Sequence, residues 1–205
     1  MFTENNYSLL QKGFRKLALS YTDELLDKIQ LYYTFLYEEN IKYNITGKLN
    51  PEIFIINHLF DCCSGIHHFP PGKKIIDLGS GGGFPGIILG LFRSNPITLI
   101  DSNKKKTSFL LNLIQKLNLP HISIVTKNIN EYSTPHDIIT CRAFGDIQKI
   151  KRISRRCAHN NCKYILYKGR KFRILPELNQ AKIVTYDIIP LSIPFLSGER
   201  NLVVF

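Results

Sequence analysis

An apolar run that leads into a glycine-rich segment constrains the fold of this chain more than any other feature. Residues 75–86 read IIDLGSGGGFPG, a pattern typical of a buried strand, a tight turn and the start of a helix. Glycine permits positive φ angles and close approach of the backbone to a ligand, and Pro85 suits a first helical turn. The segment therefore predicts a loop, containing Gly79, Gly81 and Gly83, that cradles a cofactor.

The chain after this loop alternates short apolar runs with helical stretches, which predicts βαβ units and a parallel sheet. We predict strands at residues 74–78, 97–101, 122–126, 138–141, 164–168, 183–190 and 201–205. The last two strands are separated by a loop rich in proline and glycine, and we expect them to form a closing hairpin. The predicted fold class is α/β, with a Rossmann-like, seven-stranded, mostly parallel and doubly wound sheet.

The N-terminal part of the chain has a different pattern, because its apolar residues recur at steps of three and four, as in helices. We expect Thr22 or Asp23 to cap one helix, and Asn50 with the proline after it to begin another. A Pro-Pro-Gly run then breaks the pattern. Residues 1–70 are thus predicted to form an N-terminal helical cap, and residues 71–205 the cofactor-binding domain.

Two acidic residues separate the cofactor classes that this loop could bind. The spacing Gly81-x-Gly83-x-x-Gly86 also matches the dinucleotide fingerprint. Asp77, however, precedes the loop, where its carboxylate would repel a pyrophosphate, whereas a sulfonium cofactor with an amino group tolerates that charge. Asp101 ends the next predicted strand and can accept hydrogen bonds from ribose hydroxyls of either cofactor. The alternative is that both acids are ordinary turn residues at strand ends.

The balance of charge favours a polyanionic partner such as nucleic acid. The chain has 27 Lys and Arg residues against 16 Asp and Glu, a net charge of +11. Residues 147–176 contain many of the basic residues and no acidic one. The residues we predict to bind nucleic acid are Lys151, Arg152, Arg155, Arg156, Lys168, Arg170, Lys171 and Arg200. A merely solvated basic face is the alternative.

The cysteines and the apolar segments exclude several other classes of protein. Five cysteines without paired C-x-x-C spacing predict neither a disulfide framework nor a zinc site, and we expect no metal. No apolar stretch is long enough to span a bilayer, and the N-terminus lacks the pattern of a secretory signal. We therefore expect a cytoplasmic protein without a membrane partner, and nothing in the sequence indicates an obligate dimer, so we expect a monomer.

Several motifs, in their order along the chain, resemble those of the ribosomal RNA small-subunit methyltransferase G family, also called glucose-inhibited division protein B. They are NIT at 44–46, HLFDCCS at 58–64, DLGSGGGFPG at 77–86, LIDS at 99–102, CRAF at 141–144, YKG at 167–169 and GERNLVV at 198–204. The joint order is more specific than any single motif. One departure is that Ile129-Asn130 stands where the family commonly has Ala-Glu, so that an amide replaces a carboxylate.

The resemblance implies a class I methyltransferase that transfers a methyl group from S-adenosyl-L-methionine to N7 of a guanine. That guanine would lie in the decoding-region loop of 16S ribosomal RNA in the small ribosomal subunit. The resemblance also implies that Gly79, Phe84, the Ile129-Asn130 pair and Arg142 meet the cofactor. Three alternatives stay open at this point: a Rossmann methyltransferase with another substrate, a nicotinamide-dependent dehydrogenase, and a non-catalytic RNA-binding factor for ribosome assembly.

Methylation at guanine N7 needs no general base, because N7 carries a lone pair and no proton, so positioning is expected to dominate. Arg142, at the end of the fourth predicted strand, could contact the cofactor or the guanine O6; a salt bridge to Asp77 or Asp137 is the alternative. Lys168 could bind the target base or an RNA phosphate, or be a solvated strand-end lysine. Asn44 could reach over the pocket, or cap a turn.

Overall fold

The computed structural model describes residues 1–205 and contains one seven-stranded sheet. The strands are β1 Ile75–Leu78, β2 Ile97–Asp101, β3 Ile122–Thr126, β4 His136–Arg142, β5 Ala158–Lys168, β6 Asp187–Pro190 and β7 Asn201–Val204. Their order is β3-β2-β1-β4-β5-β7-β6, and β7 is antiparallel to both of its neighbours while the other pairs are parallel. The predicted doubly wound, mostly parallel sheet and its closing antiparallel pair are confirmed.

Two strands, β5 and β6, begin at least four residues away from their predicted start, for local reasons. β5 begins at Ala158 rather than at residue 164, because a polar segment that reads as a loop still pairs with the start of β4 through an irregular register. β6 begins at Asp187 rather than at residue 183. Ile183 instead donates its N–H to the carbonyl of Leu178, and Lys182 has a φ of 53°, so these residues close the preceding helix in a Schellman-type turn.

Helices fill the first part of the chain: α1 Glu4–Lys16, α2 Asp23–Tyr43, α3 Pro51–Ile53 and α4 Asp61–Ser64, with a π-helix, Phe54–Phe60, between the last two. The predicted caps are confirmed, since Leu25 N–H donates to Thr22 Oγ1 at 3.2 Å and Ile53 N–H donates to Asn50 Oδ1 at 2.8 Å. The remaining helices are α5 Gly86–Phe92, α6 Lys104–Lys116, α7 Ile147–Ser154 and α8 Lys171–Gln180.

The two faces of the sheet have separate cores, because successive side chains of a strand point to opposite faces. On one face, Ile75 of β1 packs in the same cluster as Phe14, Tyr32 and Phe54 of the N-terminal helices. On the other face, Ile76 packs with the helices α7 and α8. The helices of residues 1–70 therefore share a hydrophobic core with the sheet, and this brings their polar residues to the edge where the glycine loop lies.

None of the helices has the length and hydropathy needed to cross a bilayer. All five cysteines are free thiols. No group of three or more His, Cys, Asp or Glu side chains is arranged to hold a metal ion.

Candidate functional site

The carboxyl ends of the parallel strands carry a cavity that we call the glycine-loop cavity. It has a volume of about 460 Å³. Its lining consists of Gly79, Ile100, Asp101, Ser102, Lys106, Lys127, Asn128, Ile129, Asn130, Ala143, Phe144, Lys149 and Ile153. The order of the strands reverses between β1 and β4, and open α/β sheets bind ligands in the crevice at such a switch point. Four of the residues predicted to bind a cofactor, from three separate segments, thus meet in one cavity.

A second cavity, which we call the cap-side cavity, lies beside the first and has a volume of about 430 Å³. Its lining consists of Asn57, His58, Asp61, Cys141, Arg142, Ala143, Phe144, Gly145, Tyr167, Lys168, Gly169 and Arg200. The two cavities share Ala143 and Phe144 as a common wall. Two ligands, one in each cavity, could therefore face each other across these residues.

The glycine loop is closely packed at Gly79 and Gly83, which have φ angles of 64° and 98°. A Cβ on Gly79 would collide with the ring of Phe144, and one on Gly83 would lie 2.7 Å from the hydroxyl of Tyr32. Only glycine combines these backbone angles with this lack of space. Gly81 has a φ of 55°, so all three predicted glycines form the turn, although Gly81 and Gly83 line neither cavity.

Asp77 lies fully buried behind the loop, and its two carboxylate oxygens differ. Oδ2 accepts a hydrogen bond from the N–H of Gly86 at 3.1 Å, whereas Oδ1 has no partner. Burial raises the pKa of Asp77 to about 7, although the Gly86 hydrogen bond opposes the shift. An unpaired buried acceptor of this kind suits a ligand with a positive charge or an N–H donor and disfavours an anionic pyrophosphate.

Asp101 joins the end of β2 to the glycine loop. Its Oδ2 accepts from the N–H of Gly81 at 3.1 Å, and its Oδ1 accepts from the N–H of Asn103 at 2.9 Å. Each carboxylate oxygen can accept a second hydrogen bond, and Asp101 lines the glycine-loop cavity. Ribose hydroxyls could therefore be bound here without disturbing the loop.

Ile129 and Asn130 form the opposite rim of the glycine-loop cavity, in a 3₁₀ turn that spans Ile129–Glu131. Ile129 is buried and supplies an apolar surface, whereas Asn130 is exposed. The carbonyl of Asn130 accepts a hydrogen bond from Arg156 at 3.4 Å. This pair offers an apolar wall and an amide to a flat heterocycle.

Arg142 is held by the N-terminal helices rather than by Asp77 or Asp137, the partners considered from the sequence. Its Nη1 lies 2.8 Å from Asp61 Oδ2 and donates to the carbonyl of Asn57 at 2.8 Å. The guanidinium also stacks 4.9 Å from the centroid of the Phe84 ring, a favourable cation–π distance. Arg142 therefore lines the cap-side cavity with most of its donors already engaged.

His58 completes this arrangement. Its ring stacks on Phe84 at 4.6 Å, and its Nδ1 accepts a hydrogen bond from Arg142 Nη2. Burial, reinforced by the charge of Arg142, lowers the pKa of His58 to about 3. The ring is therefore neutral at physiological pH, which Nδ1 needs in order to accept a hydrogen bond.

Lys168 is paired with an acidic side chain rather than solvated at the end of its strand. Its ammonium lies 2.6 Å from Glu177 Oε2 and donates to the carbonyl of Gly145 at 2.6 Å, and its side chain is 12% exposed. Glu177 Oε2 also accepts from the N–H of Ile147 at 3.0 Å. This corrects the interpretation of Lys168 as a solvated lysine, since it fastens the segment between β4 and α7 that carries Phe144.

Asn44 lines neither cavity. It is the exposed C-cap of α2 in the left-handed conformation, with φ 46° and ψ 57°, a conformation that asparagine tolerates well. The turn-capping alternative therefore describes its position. Thr46 rather than Asn44 packs on the glycine loop, beside Gly82.

The glycine loop is also supported from behind by Tyr32 of α2. The Tyr32 hydroxyl donates to the carbonyl of Gly82 at 2.5 Å, and its ring stacks on Phe84 at 5.6 Å. Phe84, predicted to meet the cofactor, is buried between Tyr32, His58 and Arg142. The N-terminal helices thus set the shape of the loop.

Replacing Tyr32 with phenylalanine is expected to lower the free energy of unfolding by about 1–3 kcal/mol, because it leaves a buried carbonyl of Gly82 unpaired. It is also expected to weaken ligand binding at the loop. Tyr33→Phe is a matched control, since the buried Tyr33 stacks on Phe2 without a hydrogen bond from its hydroxyl. Thermal unfolding and calorimetric ligand binding measure both effects, and equal behaviour of the two variants would contradict this role of Tyr32.

The predicted RNA-binding residues separate into two surfaces. The near-edge pocket, of about 370 Å³, is lined by Lys168, Gly169, Arg170, Arg173, Ile174, Glu177 and Arg200 and adjoins the cap-side cavity. The far-edge groove, of about 720 Å³, is lined by Gln148, Lys151, Arg152, Arg155, Ala158, His159, Cys162, Tyr164 and Ala181. It lies at the end of α7 and the start of β5, the opposite end of the sheet. Arg156 and Lys171 line neither surface, so the basic block is not one patch beside the cofactor edge.

Several residues of the two cavities had no predicted role. His58, Asp61 and Phe144 belong to motifs of the family resemblance, and Asn57 belongs to none of these motifs. The sequence contains a signal for His58 and Asp61, which are polar residues three apart within a mostly apolar helical run. Residues at this spacing share one face of a helix. Their partner Arg142 could not be read from that spacing.

Comparison with known sequences identifies one family. The model of the family described as rRNA small subunit methyltransferase G matches residues 25–203. A ribosomal RNA small subunit methyltransferase G of Chromobacterium violaceum is 32% identical over 201 residues, which cover 95% of this chain and 94% of the relative. One of Mycoplasma capricolum is 38% identical over 83% of this chain and 74% of the relative.

Comparison with solved structures places the fold among methyltransferases. A SAM-dependent methyltransferase from Aquifex aeolicus superposes with a TM-score of 0.58 at 16% identity, covering 76% of this chain and 92% of that one. An S-adenosyl-L-methionine-dependent methyltransferase from Methanococcus maripaludis gives a TM-score of 0.57 at 20% identity, covering 75% of this chain and 88% of that one. At these identities the likeness concerns the fold alone.

Proposed function

Because the chain belongs to the ribosomal RNA small-subunit methyltransferase G family, we propose that it methylates N7 of a guanine in 16S ribosomal RNA, using S-adenosyl-L-methionine. The observation that carries the proposal is the pair of cavities that share Ala143 and Phe144 at the switch point of the sheet. Such a pair suits a cofactor in one cavity and a base in the other. The partner is the small ribosomal subunit, so the activity belongs in the cytoplasm.

The residues around the glycine-loop cavity fit this cofactor. The unpaired Oδ1 of Asp77 suits the amino group of its methionine part, although Asp77 itself lies behind the loop. Gly79 borders the cavity and Gly81 and Gly83 form the turn that shapes it. Asp101 would accept from the ribose hydroxyls, and Ile129 with Asn130 would flank the adenine. Phe84 and Arg142 would complete the site from the cap side. When bound, the cofactor supplies an electrophilic methyl group on a sulfonium.

The protein's part in the reaction is positioning. N7 of guanine attacks through an in-plane lone pair and releases no proton, so no residue has to act as a base. Arg142 and His58 form a rigid polar wall because each is fixed by the other, and Lys168 with Glu177 fastens the loop that carries Phe144. Alignment of the reacting atoms by such fixed groups can supply a large part of the acceleration.

The RNA backbone would be bound by the two basic surfaces. Arg170 and Arg200 line the near-edge pocket beside the cap-side cavity, where the target nucleotide would enter. Lys151, Arg152 and Arg155 line the far-edge groove. Contacts with phosphates position an RNA without reading its sequence. The near-edge pocket includes Arg173 at the start of α8 and the far-edge groove includes Ala181 just after its end, so a folded RNA bound by both would extend along this helix.

Two double variants test these surfaces separately. One double variant is Arg170→Ala with Arg173→Ala, and the other is Arg152→Ala with Arg155→Ala. Each is expected to reduce the slope of the logarithm of the RNA-binding constant against the logarithm of the salt concentration by about 1–2, since each removes two phosphate contacts. Lys12→Ala with Lys28→Ala is the control, because these lysines line neither surface. Filter binding at several salt concentrations measures the slope. A slope unchanged in one double variant would remove that surface from the RNA-binding site.

The proposed reaction itself is tested with a tritiated methyl donor offered with small subunits, naked 16S RNA or total protein. We expect the label in RNA. In a second experiment, cleavage at the modified base is expected to map N7-methylguanine in 16S RNA from cells that have this gene and not in RNA from cells that lack it. Label in protein alone, or an unchanged cleavage pattern, would refute the proposal. RNA binding without any transfer would instead indicate an assembly factor.

A further inference from the structure

We infer that the cap-side cavity receives the target base and that Asp61 recognises it as guanine through the N1 and N2 edge. This inference rests on the proposed function and adds the residue that selects the base. It starts from the cavity, whose volume of about 430 Å³ lies in the range of small-ligand sites. One of its walls, made of Ala143 and Phe144, faces the glycine-loop cavity, and Asp61 belongs to the wall formed by the N-terminal helices.

The two carboxylate oxygens of Asp61 are in different situations. Oδ2 is bound by Nη1 of Arg142 at 2.8 Å. Oδ1 has no hydrogen bond within the protein, and the Nε of Arg200 lies 4.0 Å away. The side chain is only 8% exposed, so leaving Oδ1 without a partner is costly once a ligand excludes water from the cavity. The ligand that enters should therefore bring a donor to Oδ1.

Among the RNA bases, guanine fits this demand best. A carboxylate only accepts hydrogen bonds, and the Watson–Crick edge of guanine offers two adjacent donors, N1–H and the N2 amino group. Adenine has an acceptor at N1. The guanidinium of Arg200, beside Asp61, can donate to the O6 of guanine on the same edge. Flipped-out or single-stranded bases are commonly read on this edge.

The orientation also suits the reaction. N7 lies on the opposite side of the purine ring from N1 and N2. A base whose N1 and N2 edge meets Asp61 therefore turns N7 away from the N-terminal helices, towards the wall of Ala143 and Phe144 that adjoins the glycine-loop cavity. A contact with Asp61 would thus select guanine and aim the reacting atom at once.

The local backbone supports a role in binding. Asn57 and His58 lie in the π-helix Phe54–Phe60, and Asp61 follows it directly. Helical turns of this kind are rare and occur frequently at functional sites. Arg142 holds all three residues, through the carbonyl of Asn57, Nδ1 of His58 and Oδ2 of Asp61. Asp61 is therefore held in place before a base arrives, which reduces the entropy lost on binding.

The test combines a change in the enzyme with a change in the substrate. Small subunits are reconstituted with guanosine or inosine at the target position, since inosine lacks only the N2 amino group. With the unmodified protein we expect inosine to reduce kcat/KM by about 10- to 100-fold, the usual effect of losing a hydrogen bond to a charged group. With Asp61→Asn we expect a similar loss on guanosine and near equality between the two substrates. A structural role alone would not abolish the difference between substrates.

Further variants separate folding from recognition. Asp137→Asn removes a carboxylate that also accepts a backbone hydrogen bond, from Lys74, at the other end of β4, and is expected to keep the full inosine penalty. If Asp61→Asn fails to fold, Asp61→Glu is measured in its place. This variant keeps the charge and is expected to retain a preference for guanosine over inosine. The inference is overturned if the unmodified protein shows no loss of kcat/KM when inosine replaces guanosine. It is also overturned if this loss is the same in the unmodified protein and in Asp61→Asn. Absence of methyl transfer to the guanosine substrate would instead overturn the proposed function.

Discussion

Replacing Arg142 with leucine is expected to lower the free energy of unfolding by about 3–5 kcal/mol, because it leaves the carboxylate of Asp61 buried without its partner. The side chains of Arg142 and Asp61 are 16% and 8% exposed, so water can replace the lost contact only in part. The same change frees the carbonyl of Asn57 and removes the stacking on Phe84. Chemical denaturation measures the loss. Methyl transfer should fall to background because the cap-side cavity loses the side chain that fixes Asn57, His58 and Asp61 in its wall.

The control for this change is Arg93→Leu. Arg93 is also partly buried, but its one hydrogen bond, to the carbonyl of Ile66, is long at 3.5 Å and no carboxylate faces it. Arg93→Leu should therefore cost much less. In addition, the double variant Arg142→Leu with Asp61→Leu should be less destabilised than the sum of the two single variants. Each single variant leaves the charge of its partner buried without a counter-charge, whereas the double variant removes both charges. Additive effects would contradict the proposed coupling.

Replacing Asp77 with asparagine is expected to stabilise the protein without cofactor at pH 8 and to weaken cofactor binding. Burial raises the pKa of Asp77 from its ordinary value of 3.8 to about 7 in the folded state. The folded protein therefore holds a proton on this group more tightly than the unfolded chain, and the stability this contributes is present below pH 4 and lost as the pH rises to 7. Asparagine does not ionise, so the advantage of the variant should grow over the same interval.

The opposite effect is expected for cofactor binding. If Oδ1 of Asp77 receives the amino group of the cofactor, as proposed above, its loss should weaken binding at pH 8 by about 10- to 100-fold, the value of a hydrogen bond between charged groups. Titration calorimetry at pH 8 measures this affinity. Unchanged affinity in Asp77→Asn would remove Asp77 from the proposed cofactor site.

Asp137→Asn is an informative comparison for the pH dependence, because the pKa of Asp137 is lowered whereas that of Asp77 is raised. The hydrogen bond from His159, together with that from the N–H of Lys74, lowers the pKa of Asp137. Its stabilising contribution is thus present above the ordinary pKa and lost as the pH falls. Asp137→Asn should therefore destabilise the protein at neutral pH, where Asp77→Asn stabilises it. Parallel pH profiles of the two variants would show that the buried environment of Asp77 is not the cause.

Much of the cofactor site could be predicted, because its residues follow local rules. Gly79 directly follows β1, Asp101 is the last residue of β2, and the pair Ile129-Asn130 lies shortly after β3. The carboxyl ends of parallel strands meet at one edge of the sheet. The strand pattern therefore predicts Gly79 and Asp101 at this edge, whereas the role of Ile129-Asn130 follows from the family resemblance. The polar start of β5 was missed, since its pairing with β4 depends on the neighbouring strand rather than on an apolar pattern.

The sequence alone determined the alternation of strands and helices, the glycine loop with its positive φ angles, and the family, because these depend on short-range patterns and on motif order. Only the tertiary structure decided that Arg142 pairs with Asp61, 81 residues away, that Glu177 engages Lys168, and that the basic block divides between two ends of the sheet. These contacts depend on which surfaces the hydrophobic cores bring together, and a side chain's partner across such a distance is set by packing and burial rather than by its neighbours in the chain.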